Sequence, residues 1–215
     1  MTRREANIGL LSSAALAAMP DLARGNELTL LPAPRKDGGK PLFEALWLRR
    51  STREYSDRPI PPEVLSNLLW AAYGINRPSG DRTAPYWRHI MVVDVYVAMA
   101  NGVWLYDPKS HALTPHLSAD IRAQTGLQDF VATAPVNFVF VAQGDRMKDV
   151  SPDDRRLYAS VDTAFIGQNV YLFCASEGLA TVFRGSVDYE KLAQSMRLTE
   201  AQFVTFAQTV GYPKA

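Results

Sequence analysis

The chain has 215 residues, of which 47% are hydrophobic, 21% charged and 10% aromatic, a balance that excludes disordered and collagen-like proteins. Twenty-three basic residues against 22 acidic ones leave a formal charge of +1, so no electrostatic footprint for nucleic acid is expected. The single cysteine, Cys174, allows neither an internal disulfide nor a cysteine zinc cage.

In chain order, the first segment reads as an address. Thr2-Arg3-Arg4 precedes the uncharged run Ile8–Ala18, and Met19-Pro20 breaks it, with Ala15-Leu16-Ala17 as a candidate cleavage motif. Residues 1–19 are thus expected to be a twin-arginine export signal that delivers a folded protein to the periplasm. The alternative is an ordinary N-terminal helix on a cytoplasmic protein. No apolar run reaches the roughly 18 residues of a membrane-spanning helix, so no stable membrane span is expected. Pro20, Gly25, Pro32, Pro34, Gly38, Gly39 and Pro41 make residues 20–41 a linker, and the domain proper runs over 42–215.

Leu42–Arg50 is expected to be helical, with Leu42, Phe43, Leu46 and Trp47 on one face. Pro61-Pro62-Glu63 opens a second helix, carrying Val64, Leu65, Leu68, Leu69 and Ala72 and closed by Gly74. His89–Ala98 predicts a strand, Asn101-Gly102 a tight turn and Val103–Tyr106 the returning strand. Ser118–Gln124 predicts a short helix, and Val136–Ala142 a strand buried on both faces. Ser151-Pro152-Asp153-Asp154 starts a long apolar helix ending at Glu177-Gly178, destined for a large core or a subunit interface. Ala180–Phe183 predicts a strand and Tyr189–Met196 a helix capped by Asp188. Thr199 and Gln202 form a capping box, and Thr205–Val210 is the last strand. The alternation of helices with about four strands, several of them hairpin-linked, argues for an α+β or mixed α/β fold rather than a regular βαβ array.

Arg49-Arg50-Ser51-Thr52-Arg53 is the most informative cluster. In an extended segment Arg49, Ser51 and Arg53 point the same way, and two guanidiniums with a hydroxyl suit a phosphate dianion. Read alone, the cluster could equally be a solvated basic turn beside a helix C-terminus. His89, His111 and His116 lack metal-ligand spacing, so no metal is expected. Cys174 reads as a small core residue, and Trp104 and Tyr106 as core aromatics.

The cluster, the stretch Leu68-Leu69-Trp70-Ala71-Ala72-Tyr73-Gly74-Ile75-Asn76 and Arg82-Thr83-Ala84-Pro85 together resemble the opening of the FMN-dependent nitroreductase family. Gly102–Asp107, Ala134-Pro135, Gln168–Leu172, Glu177-Gly178-Leu179, Val182–Gly185 and Val210–Pro213 continue the resemblance in order over residues 42–213. The resemblance is strongest to the branch that includes the azoline dehydrogenases of peptide maturation.

It implies a nitroreductase-like α+β fold, with a central, mostly antiparallel sheet flanked by helices and a long buried core helix, and a homodimer holding FMN at its interface. Arg49, Arg50, Ser51 and Arg53 would bind the FMN phosphate and ribityl chain. Thr83 and Pro85 would lie near the ring, and Phe183, Arg184 and Gly185 would bring backbone amides to its pyrimidine edge and N5. Tyr86 and Trp87 depart from the family's pattern after the proline and are candidate substrate-pocket residues. Lys214 is a further candidate phosphate contact. The implied function is an oxidoreductase passing reducing equivalents through FMN to or from a small organic substrate. NAD(P)H is the natural donor in the cytoplasm, and another donor is needed in the periplasm. A non-catalytic flavin-binding protein and a periplasmic ligand-binding domain are the alternatives.

Overall fold

A computed structural model describes residues 28–214. The export and cleavage readings over 1–19, and linker residues 20–27, lie outside the described residues. The elements in chain order are β1 (Thr29–Leu30), α1 (Leu42–Leu48), α2 (Pro62–Tyr73), β2 (Val93–Met99), β3 (Gly102–Asp107), β4 (Ala112–Leu117), α3 (Phe130–Thr133), β5 (Val136–Gln143), α4 (Pro152–Glu177), β6 (Ala180–Arg184), α5 (Tyr189–Ser195) and β7 (Gln202–Gly211).

All seven strands form one sheet in the order β1-β4-β3-β2-β5-β7-β6, and every pairing is antiparallel. The alternating side chains of the strands feed two cores. Val95, Val97, Phe138, Phe140 and Trp104 pack with α2 and α4 on one face. Tyr96, Ala98, Val139 and Val141 pack with Leu192 of α5 on the other. Covered on both faces, β5 carries a continuous apolar run, as its sequence predicts.

The long helix α4 begins and ends where its capping residues place it. The Ser151 hydroxyl accepts from the Asp154 N–H, Pro152 occupies the first turn, and Gly178 closes the helix at φ 71°. Gly167 lets α4 press on the sheet, because a Cβ there would lie 2.6 Å from the Phe183 ring. The helix is not buried all round within one subunit: Leu157, Val161 and Phe165 are 56%, 43% and 46% exposed. The apolar face expected on α1 also points outward, with Trp47 87% and Phe43 77% exposed.

Several local expectations give way. The two-residue loop is Ala100-Asn101, and Gly102 opens β3 at φ 136°, where a Cβ would strike the Leu117 carbonyl at 2.3 Å. Strand β2 starts four residues later than its sequence suggests, because Arg88 and His89 adopt left-handed φ values of 46° and 57°. Ser118–Gln124 forms only a 3-10 turn at Arg122–Gln124. The Thr199/Gln202 pair bonds as a capping box would, Gln202 Oε1 accepting from the Thr199 N–H at 2.9 Å, but it closes a turn into β7.

Candidate functional site

The basic segment leaves α1 at Arg49 and runs extended beside β6. The Thr52 N–H donates to the Thr181 carbonyl at 2.9 Å, and Ser56 N–H donates to Tyr212 O. The end of the chain joins it, since the Lys214 N–H donates to Glu54 O at 3.3 Å. Arg49, Arg50 and Arg53 have no carboxylate ion-pair partner among the described residues. The Arg49 guanidinium lies over the Tyr171 ring at 5.3 Å, and the Ser51 hydroxyl meets the Tyr171 phenol at 2.7 Å. Arg50, Thr52, Tyr171 and Thr181 share a cleft of about 470 Å³. Arg49 and Ser51 thus meet in one rim at the Tyr171 side chain, and Arg50 lines the adjoining cleft.

Tyr171, which the sequence places in the core helix and not among the site residues, ties this rim to β6: its phenol also accepts from the Phe183 N–H at 2.9 Å. The Phe183 amide is therefore already bonded within the subunit, while its ring packs on Phe206 at 4.8 Å. Arg184 points away from the rim. Its guanidinium is buried and donates to Thr125 O at 2.8 Å, Thr209 Oγ1 at 3.1 Å and Asn137 Oδ1 at 3.3 Å. Burial pulls its pKa down to about 10, which still leaves it charged at neutral pH. Only its backbone is open to a ligand role. Gly185 is exposed, and its carbonyl accepts from Tyr189 Oη. The Leu127 N–H donates to Ser186 O at 3.1 Å, which lays the 126–129 turn against the same rim.

The remaining predicted residues stand elsewhere. The Thr83 N–H donates to Gly74 O and its hydroxyl to Trp70 O, placing it in a cleft of about 400 Å³ between α2 and α4. Pro85 is exposed. The Tyr86 hydroxyl donates to Asp81, and the Trp87 ring stacks on Tyr158 at 5.5 Å. Beneath this loop the buried Asp162 carboxylate accepts from the Trp87 N–H at 2.9 Å. Burial raises its pKa to about 6, and the Trp87 amide opposes that rise.

Within one subunit the two sets do not meet. The basic rim gathers at Tyr171 and the aromatic loop at Asp162, nine residues apart on α4 and so about 13 Å along its axis. Neither cleft draws residues from the other set. The exposed apolar faces of α1 and α4 lie on the same two helices that carry these sets.

The other candidates are structural. Trp104 and Tyr106 are buried in the core, and Cys174 lies inside α4 with its thiol pKa pushed up by burial. His111 bonds Ser66 at 2.7 Å and Tyr106 at 3.0 Å, and His116 bonds the Met196 carbonyl at 2.7 Å. Among the described residues no cluster of His, Cys, Asp and Glu could hold a metal, and no helix is long and apolar enough to cross a membrane.

Comparison with known proteins places these features. The family model for the nitroreductase family matches residues 48–212. A Methanocaldococcus jannaschii protein named as a nitroreductase is 30% identical over 169 residues, covering 74% of this chain and 85% of its own. A crystal structure from Ralstonia eutropha, also described as a nitroreductase, superposes with a TM-score of 0.84 at 42% identity, over 90% of this chain and 95% of that one. The Vibrio harveyi NADPH:FMN oxidoreductase, solved with NAD+, shares the fold at a TM-score of 0.59 and 21% identity, over 81% of this chain and 69% of that one. None of these matches carries the azoline-dehydrogenase branch.

Proposed function

The chain belongs to the nitroreductase family, and from that membership we propose that it is an FMN-dependent oxidoreductase acting on a small organic substrate. The observation that carries the proposal is the meeting of Arg49 and Ser51 at Tyr171 in a basic segment whose Arg49, Arg50 and Arg53 have no carboxylate partner among the described residues, with the Lys214 backbone bonded beside it at Glu54. Residues of this kind fit a phosphate, and the family's flavin chemistry supplies the reason for one. FMN, when bound, supplies hydride transfer through its N5.

The chain's own residues bind and shape. Arg49, Ser51 and Arg53 hold the phosphate, with Arg50 and Thr52 lining the adjoining cleft. The backbone at Arg184-Gly185 borders the ring, while the Arg184 side chain stays locked beneath the sheet. In this reading a second copy supplies Thr83, Pro85, Tyr86 and Trp87 to the same flavin, as the family's homodimer implies. The exposed faces of α1 and α4 give that homodimer its apolar contact. Tyr86 and Trp87, held by Asp81, Tyr158 and Asp162, then form the substrate wall and exclude water. Nitroaromatic, quinone, enone and azoline compounds are the substrate classes compatible with this arrangement.

The electron donor follows the compartment. We propose export through residues 1–19, with residues 42–215 as the flavin domain and a donor other than NAD(P)H, such as a quinol. A protein retained in the cytoplasm takes NAD(P)H instead. Anaerobic mixing of the flavin-loaded protein with NADH, NADPH or a quinol, followed by a quinone or nitroaromatic, tests the function. Bleaching of the flavin by one donor and recovery with an acceptor are expected. A bound flavin that no donor reduces would make the protein a non-catalytic flavin binder.

A further inference from the structure

We infer that Tyr171 is a positioning residue that aims the Ser51 hydroxyl outward as a hydrogen-bond donor for the FMN phosphate. This rests on the FMN reading above. The phenol oxygen stands between two groups, accepting from the Phe183 N–H at 2.9 Å and lying 2.7 Å from Ser51 Oγ. An amide N–H can only donate, so it occupies one acceptor site of the phenol and leaves the phenol proton free for Ser51 Oγ, the direction we infer. Among the described residues the one acceptor for the phenol proton is then Ser51 Oγ. With its oxygen accepting from Tyr171, the Ser51 hydroxyl turns its own proton away from α4, toward the exposed side where Arg49 and Arg53 stand.

Three further observations support the arrangement. Tyr171 projects from the C-terminal third of α4, the longest helix, so its phenol is held by a rigid element rather than by the loop it serves. The Arg49 guanidinium lies over the same ring at 5.3 Å, so one side chain positions both a hydroxyl and a cation of the rim. The Thr52 N–H to Thr181 O bond runs beside it and keeps the segment parallel to β6. A serine in a free loop would lose rotamer entropy on binding, and here the tyrosine has already fixed it.

The test compares FMN with riboflavin, which carries the same ring without the phosphate. Affinities are read by flavin fluorescence on flavin-free protein for wild type, Tyr171→Phe, Ser51→Ala and the double variant. Tyr171→Phe is expected to weaken FMN about three- to tenfold, the range of one hydrogen bond, and to leave riboflavin within about twofold. In the Ser51→Ala background Tyr171→Phe should add nothing, because the donor it aims is gone. Combined with Arg53→Ala it should act independently. Ser51→Ala reads the same donor without touching the bond to β6, so the inference stays testable if Tyr171→Phe folds poorly. Equal losses for FMN and riboflavin, or full additivity with Ser51→Ala, would overturn the positioning role. A wild-type protein that binds neither flavin would instead overturn the FMN reading.

Discussion

Asp162 offers the sharpest test of how the aromatic loop is held. The carboxyl is 3% exposed, and its described hydrogen bond comes from the Trp87 N–H. Burial raises its pKa from 3.8 to about 6. A raised carboxylate pKa means that folding favours the protonated form. The stabilising contribution is complete below pH 3.8 and is lost as pH rises through about 6. The difference of about 2 units corresponds to roughly 3 kcal/mol withdrawn by pH 8. Asp162→Asn removes the titration and keeps an oxygen for Trp87. The variant should therefore exceed wild type by about 1–3 kcal/mol at pH 8, with the gap smaller by about 1.4 kcal/mol at pH 5, where roughly half of the effect is already withdrawn. Urea unfolding at both pH values, at one fixed protein concentration, measures this. A variant less stable than wild type at pH 8 would refute the reasoning. It would show that the ionised carboxylate is held by bonds strong enough to outweigh its desolvation.

Three further outcomes follow from the geometry. Arg184→Ala should cost about 3–5 kcal/mol in urea unfolding, because it empties a buried site and leaves the Thr125 carbonyl without its donor, while the Asn137 and Thr209 side-chain oxygens keep only their mutual bond; a cost under about 1 kcal/mol would put the side chain at the flavin rim instead. Phe165→Glu should yield monomers by sedimentation and lower flavin content, since a charge tolerated on an exposed helix face is not tolerated in an interface; an unaltered dimer would move the interface elsewhere. Arg53→Ala should weaken FMN roughly tenfold to a hundredfold by fluorescence titration, and unchanged affinity would remove it from the phosphate site.

Local chemistry made much of the fold legible. Ser151, Pro152 and Gly178 delimit α4 in the structure as they do in the sequence, and Asp188 caps α5 by accepting from the Lys191 N–H. Strand β4 escaped because Pro115 argues against a strand. It is tolerated there since β1 covers only Ala112 and Leu113, leaving Pro115 beside an open edge. Thr199 and Gln202 satisfy each other in a turn as readily as in a helix, so the motif cannot choose between them.

The site was legible at the level of segments and less so of side chains. Period-two alternation puts Arg49 and Ser51 on one side, and both meet Tyr171. The same alternation in β6 sets Arg184 on the side of buried Val182, a signal that its guanidinium turns inward. Tyr171 gives no such signal, because its partners, Ser51 and Phe183, are brought together only by tertiary packing. The pattern of α4 admits a large core or a subunit interface, and that of α1 shows one apolar face. Their pattern reports that they are covered, and cannot say whether by the same chain or by a second copy.

Sedimentation velocity of the purified protein, recorded at the flavin absorption band, tests the central claim of an FMN site completed by two copies. The account predicts flavin absorbance moving with a single species of about twice 23.8 kDa, or slightly less if residues 1–19 are removed. Flavin moving with a stable monomer, or a dimer that carries no flavin after incubation with FMN, would contradict it.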